Sequence, residues 1–305
     1  MRTFRLILLL GCFMPVELSA QTTLFWDVNG ATAGTGTSGG TWDTSTANWT
    51  TSAVGDVSPT TWLNDGSAAA SFPLPTDGPG TYTIDVASAV QAPGIGTGSV
   101  YWGSAQGVTF TGTGSITLTD PLITVESVTT EFNVPLVSLV GLNLDVSFAF
   151  AGMLRLNTAN PDLLGVTTIS KGTLVYNQDG ALGPETTGNG IVIGDGTLHF
   201  DKVSGGDFGY TLADPIAIWG TDEFDPHISI GFEIYASRSV TLSGPIALEE
   251  DAWFTGGPLY DYGTAQIIST GVISGSESGS SHQFEKWAMH LVATLKMTYV
   301  ASQVG

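Results

Sequence analysis

Two acidic turns hold the densest groups of side chains that could move protons: Asp222, Glu223 and Asp225, and Glu249, Glu250 and Asp251. Hydrolysis of a polysaccharide needs two carboxylates facing one glycosidic bond. The same oxygens could hold calcium, which prefers carboxylate and carbonyl ligands. Each group falls where a turn is expected, and acidic residues are common in solvated turns. Basic residues that could accept a proton nearby, Arg155, Lys171, Lys202 and Arg238, are scattered along the chain. No Asp-Asp pair with a nearby His-Gly accompanies them, and there is no glycine-rich nonapeptide calcium repeat. His199, His227, His282 and His290 lack the spacing of zinc ligands. The sequence predicts a protein that is not an enzyme, with no catalytic residue, no metal ligand and no cofactor.

Aromatic residues offer a different chemistry. Five of the eight tryptophans, Trp26, Trp42, Trp49, Trp62 and Trp102, precede residue 106, with Trp219, Trp253 and Trp287 beyond. Trp26, Trp42, Trp49 and Trp62 could stack on sugar rings, or they could fill a core. Asn48-Trp49-Thr50 matches a glycosylation acceptor, a short pattern that also arises by chance.

Any such residues must be positioned by strands. Alternating runs such as Thr81–Val86, Ser115–Thr119 and Ile191–Ile193 have period two, and Gly, Asp, Asn, Ser and Pro punctuate them. Three segments repeat: Ile116-Thr-Leu-Thr-Asp-Pro-Leu122, Tyr210-Thr-Leu-Ala-Asp-Pro-Ile216 and Val240-Thr-Leu-Ser-Gly-Pro-Ile246, with Ile267–Ile273 as a weaker fourth. The last pair is 30 residues apart and the first pair 94, close to three times thirty-one. Periods in this range mark solenoids and arrays. Leu212, Ile216, Ile218, Leu242, Ile246 and Leu248 are expected to point inward, with Pro215 and Pro245 at corners or strand starts.

Residues 1–20 read as a signal peptide: Arg2 and Arg5, an apolar stretch from Leu6 to Val16, then Leu18-Ser19-Ala20 before a cut ahead of Gln21. A rival cut at Leu9-Leu10-Gly11-Cys12 would instead lipidate Cys12. Cys12 is the one cysteine, so the mature chain would hold no disulfide. Acidic residues outnumber basic ones 28 to 8, the formal charge is −20, and no Lys or Arg lies between Gln21 and Leu154. Such a surface repels phosphate backbones, which excludes nucleic acid as a partner, and no membrane span follows the signal peptide. The expected division is a signal peptide at 1–20, a Trp-rich N-terminal β unit or cap at 21–105, solenoid repeats at 106–281, and a degenerate or truncated repeat at 282–305.

Gly165-Val-Thr-Thr-Ile-Ser-Lys-Gly172-Thr-Leu-Val-Tyr-Asn-Gln-Asp-Gly180-Ala-Leu-Gly183 resembles the autotransporter-associated β-strand repeat, also called the passenger-associated transport repeat. Its Gly-x-Thr-x-Ile, Gly-Thr-Leu and Ala-Leu-Gly elements are all present. Gly271-Val-Ile-Ser-Gly275 resembles the segment that often sits between such repeats. Leu24–Gly30, with Gly40–Asp43 and Ala47–Trp49, resembles the start of large exported proteins of this kind. The resemblance implies an all-β, right-handed parallel β-helix. It also implies an exported structural passenger or surface stalk, with adhesion to a surface or glycan partner as its role, at the cell surface, outer membrane or outside the cell. The family has no catalytic residues to carry over, and these 305 residues show neither a translocator barrel nor a sorting tail. The alternative is a polysaccharide-binding or polysaccharide-active β-helix protein.

Overall fold

The computed structural model describes residues 21–36, 39–73, 82–98, 107–126, 129–146, 152–185, 188–202, 205–219, 227–230, 237–248, 252–256, 264–275 and 284–285. The expected signal peptide, the acidic groups 222–225 and 249–251, and nearly all of 282–305 lie outside them. Among the described residues there is no helix, and the strands form one large, mostly parallel sheet of 21 strands and one of 3.

The large sheet contains two long rows. The first runs through Thr22–Trp26, Ala68–Phe72, Val90–Gly98, Ile116–Glu126, Leu142–Asp145, Val166–Tyr176, Gly190–Phe200, Ile216–Ile218, Ile246–Leu248 and Ile273–Gly275. Its central column is Leu24, Ala70, Ile95, Ile123, Leu144, Ile169, Ile193, Ile218 and Leu248, each paired with the next. The second row runs through Gly40–Trp42, Tyr82–Val86, Gly107–Thr111, Thr129–Phe132 and Met153–Leu156. It continues through the later halves of Val166–Tyr176 and Gly190–Phe200 to His227–Ile230, Ala252–Gly256 and Phe284–Glu285. A third direction is taken by the 3-stranded sheet Phe208–Leu212, Ser237–Leu242 and Thr264–Ser269.

Two strands serve both rows because their inward side alternates, then shifts. In Gly190–Phe200, Ile191 and Ile193 are buried, then Gly196, Leu198 and Phe200. Skipping one position at Gly194-Asp195 turns the second half to a new direction while both halves keep apolar residues inside. Val166–Tyr176 bends in the same place, at Ser170-Lys171. Gly172, just after that bend, has φ +85°, and a Cβ there would lie 2.2 Å from Val146 Cγ2. The left-handed backbone and the close approach both require glycine. Gly172-Thr-Leu174 lies in register with Gly196-Thr-Leu198, a second copy of this element.

The repeats found in the sequence stand in register where they are closest. Tyr210, Val240 and Ile267 pair in turn, as do Ile216, Ile246 and Ile273. Leu212, Ile216, Ile218, Leu242, Ile246 and Leu248 are buried. The 94-residue spacing is not three periods. Leu122, Asn143, Thr168, Val192 and Ala217 pair successively, so four steps fill the interval, and Leu122 aligns with Ala217 rather than Ile216. The four steps are 21, 25, 24 and 25 residues long against 30 between the last two copies, so spacing in sequence does not give the number of steps.

Strands on both sides of residue 105 belong to the same rows, and one core runs through them. Phe72 meets Phe110 at 5.0 Å and Trp42 meets Phe110 at 6.2 Å. The antiparallel pairings among the described strands lie at the N-terminal end, where Ala47–Thr50 joins Thr22–Trp26 and Thr60–Thr61. They cover the first strand's outer edge, which would otherwise be open to another chain.

Candidate functional site

Trp26, Trp42, Trp49 and Trp62 are between 0% and 2% exposed. Their rings pack edge to face: Trp26 on Trp49 at 5.2 Å, Trp42 on Trp62 at 5.3 Å, and Trp49 tilted on Trp62 at 4.5 Å. Such contacts add stability beyond area burial and leave no free face. The stacking of sugars on these four rings is therefore excluded; they close the end of the core. Only the Trp62 indole N–H among them has a partner, the Gln91 carbonyl at 3.2 Å. The amide of Asn48, in the glycosylation-like triplet, donates to the Thr41 carbonyl at 3.0 Å, and Trp49 and Thr50 are buried.

Of the four histidines, His199 is the one whose side chain is described. Its Nδ1 meets Ser229 Oγ at 2.7 Å. Burial holds its pKa below the usual imidazole value. His227 lies in the second row opposite Thr197. Arg155 pairs with Glu131 at 3.7 Å, Lys202 donates to the Asp207 carbonyl at 3.0 Å, and Arg238 bonds Asp201 at 2.9 Å while its guanidinium stands over the Phe208 ring. Arg155 pairs across two strands, whereas Lys202 and Arg238 both tie down the connection after Phe200, Arg238 also donating to the Gly206 carbonyl at 3.3 Å. Among the described residues no three His, Cys, Asp or Glu side chains are grouped to hold a metal ion.

A polar stack follows the second row. Asn133, Asn157, Asn177 and Asp201 each come one residue after the paired Phe132, Leu156, Tyr176 and Phe200. Asn157 donates to the Asn133 side chain at 2.9 Å, Asn177 donates to Asn157, and Arg238 closes the stack on Asp201. Side-chain bonds continue the ladder where the chain turns away from the sheet. Asn160 does the same at another corner, accepting from Leu136 N and donating to the Ala181 carbonyl. These amides hold corners and offer no acid or base.

The sequence reading passed over Asp214, which looked like an ordinary Asp-Pro corner. It is 4% exposed, and its Oδ1 has no hydrogen-bond partner. Burial, and then the charge of Glu185, raise its pKa to about 6. A displaced pKa is a common mark of function. This carboxyl, however, lies under a corner with Gly244 packed on its backbone, so a polymer cannot reach it.

No family model, curated protein or solved structure matches the chain. Among the described residues no helix is long and apolar enough to cross a membrane.

Proposed function

We propose that the chain is an exported structural protein of the passenger type, coiled as a right-handed parallel β-helix and serving as a surface stalk with an adhesive role. The observation that carries the proposal is the central column from Ala70 to Leu248, in which the chain returns to the same position every 21 to 30 residues. Parallel neighbours joined by connections of that length belong to coils, and crossovers of this kind are right-handed. A surface stalk needs length, uniform packing and no reaction centre. The column, the glycine-shaped bends and the amide-held corners suit that task. The signal-like residues 1–20, the charge of −20 and the lack of cysteine after Cys12 support export of a chain stabilised by burial alone.

Expression from Met1 in a Gram-negative host tests the reading. Fractionation, N-terminal sequencing and protease treatment of intact cells are expected to give an external protein beginning at Gln21. A cytosolic product that retains Met1 overturns it.

A further inference from the structure

We infer that the outer face of the first row carries a binding site for a neutral polysaccharide, with Trp219 as its stacking platform. Trp219 is 56% exposed, unlike the buried indoles of the N-terminal end. It follows Ile218, whose side chain points into the core, so its own ring stands on the outside. The Trp219 N–H bonds the Ile193 carbonyl at 2.9 Å, which fixes the backbone beneath the ring.

The described neighbours on this face are small or polar. The register of Ile193 with Ile218 sets Gly194 beside Trp219. The nearest atoms to a Cβ built on Gly194 would be backbone atoms of Ile169 and Ser170, at 3.4 to 3.6 Å, and Gly194 itself adds no side chain beside the ring. Ala217 shares Trp219's outer face two residues earlier. One and two strands further on, the same face presents Ser170, Asp145 and Asn143, with Ser170 Oγ bonded to Asn143 Oδ1 at 2.9 Å. One exposed aromatic ring sharing a face with small residues, with hydroxyl, amide and carboxylate groups two and three strands away, fits an extended sugar chain. Its C–H face stacks on the ring while its hydroxyls reach the polar groups. A protein or lipid partner would call for a wider apolar patch. The charge of −20 disfavours anionic polymers, so the glycan is neutral.

The site rests on the first row having an open outer face, and not on export or a surface location. Its test is therefore separate from fractionation. Residues 21–305 are run in native gels cast with barley β-glucan, laminarin, xylan or polygalacturonate. The expected result is retardation in at least one neutral gel, none in polygalacturonate, and a loss of affinity of about tenfold in Trp219→Ala that Trp219→Phe largely restores. Because Trp219 is exposed, unchanged circular dichroism is expected for both variants. Migration unaffected by all three neutral polymers overturns the site, as does equal retardation of Trp219→Ala or equal retardation by polygalacturonate.

Discussion

Asp214 and Gly172 each sit in surroundings that an ordinary residue of their position would not tolerate. With a pKa raised from 3.8 to about 6, Asp214 binds its proton more tightly folded than unfolded. Its contribution therefore favours the folded state as pH falls from about 6 toward 4, and ionisation above 6 costs on the order of 3 kcal/mol. Asp43 acts in the opposite sense, because the Thr46 N–H lowers its pKa. Asp214→Asn removes the buried charge and its repulsion from Glu185. Urea unfolding at pH 7 and pH 5 is expected to show the variant more stable than the parent at pH 7, with the gap narrowing at pH 5. At Gly172, substitution by Val meets both the positive φ and Val146. A loss of about 3 kcal/mol or more is expected in the same measurement, whereas Thr173→Val, at a half-buried strand position, should change stability little.

At the scale of elements, the bent strands are the sensitive parts. Val166–Tyr176 and Gly190–Phe200 each feed two rows, with ten residue pairs in register between them. Inserting one alanine between Gly172 and Thr173 shifts the alternation and drives Leu174 and Tyr176 outward. Loss of cooperative unfolding is the expected outcome. A single truncation such as Ile193→Ala leaves the register intact and should cost about 2–5 kcal/mol. The amide stack is worth less per residue. Asn157→Ala removes its bonds to Asn133 and Asn177 at a partly exposed corner, at a cost of about 1 kcal/mol.

For the molecule as a whole, the stacked-coil proposal predicts small-angle scattering from an elongated particle and a β-dominated circular dichroism spectrum. A spherical particle would remove the basis for the stalk. The proposal also predicts no release of sugar from pectin or alginate by the purified protein. Reproducible turnover that disappears on replacing Asp222 or Asp225 would revive the polysaccharide-active alternative.

The strand content, the inward residues of the 212–218 and 242–248 segments and the corner positions of Pro215 and Pro245 were legible in the sequence. Alternation and proline placement are local properties that act within a few residues. Likewise, the close 30-residue repeat was visible because both copies have corners of equal length. Four further features depend on which residues the folded chain brings side by side. These are the four steps hidden in 94 residues, the burial of Trp26, Trp42, Trp49 and Trp62, the exposure of Trp219 and the displaced pKa of Asp214. A tryptophan reads the same in sequence whether it closes a core or stands outside it. Only the parallel pairing between strands distant in sequence sets Trp219 beside Gly194 and Asp214 beside Glu185, because contact across rows is fixed by register and not by spacing along the chain.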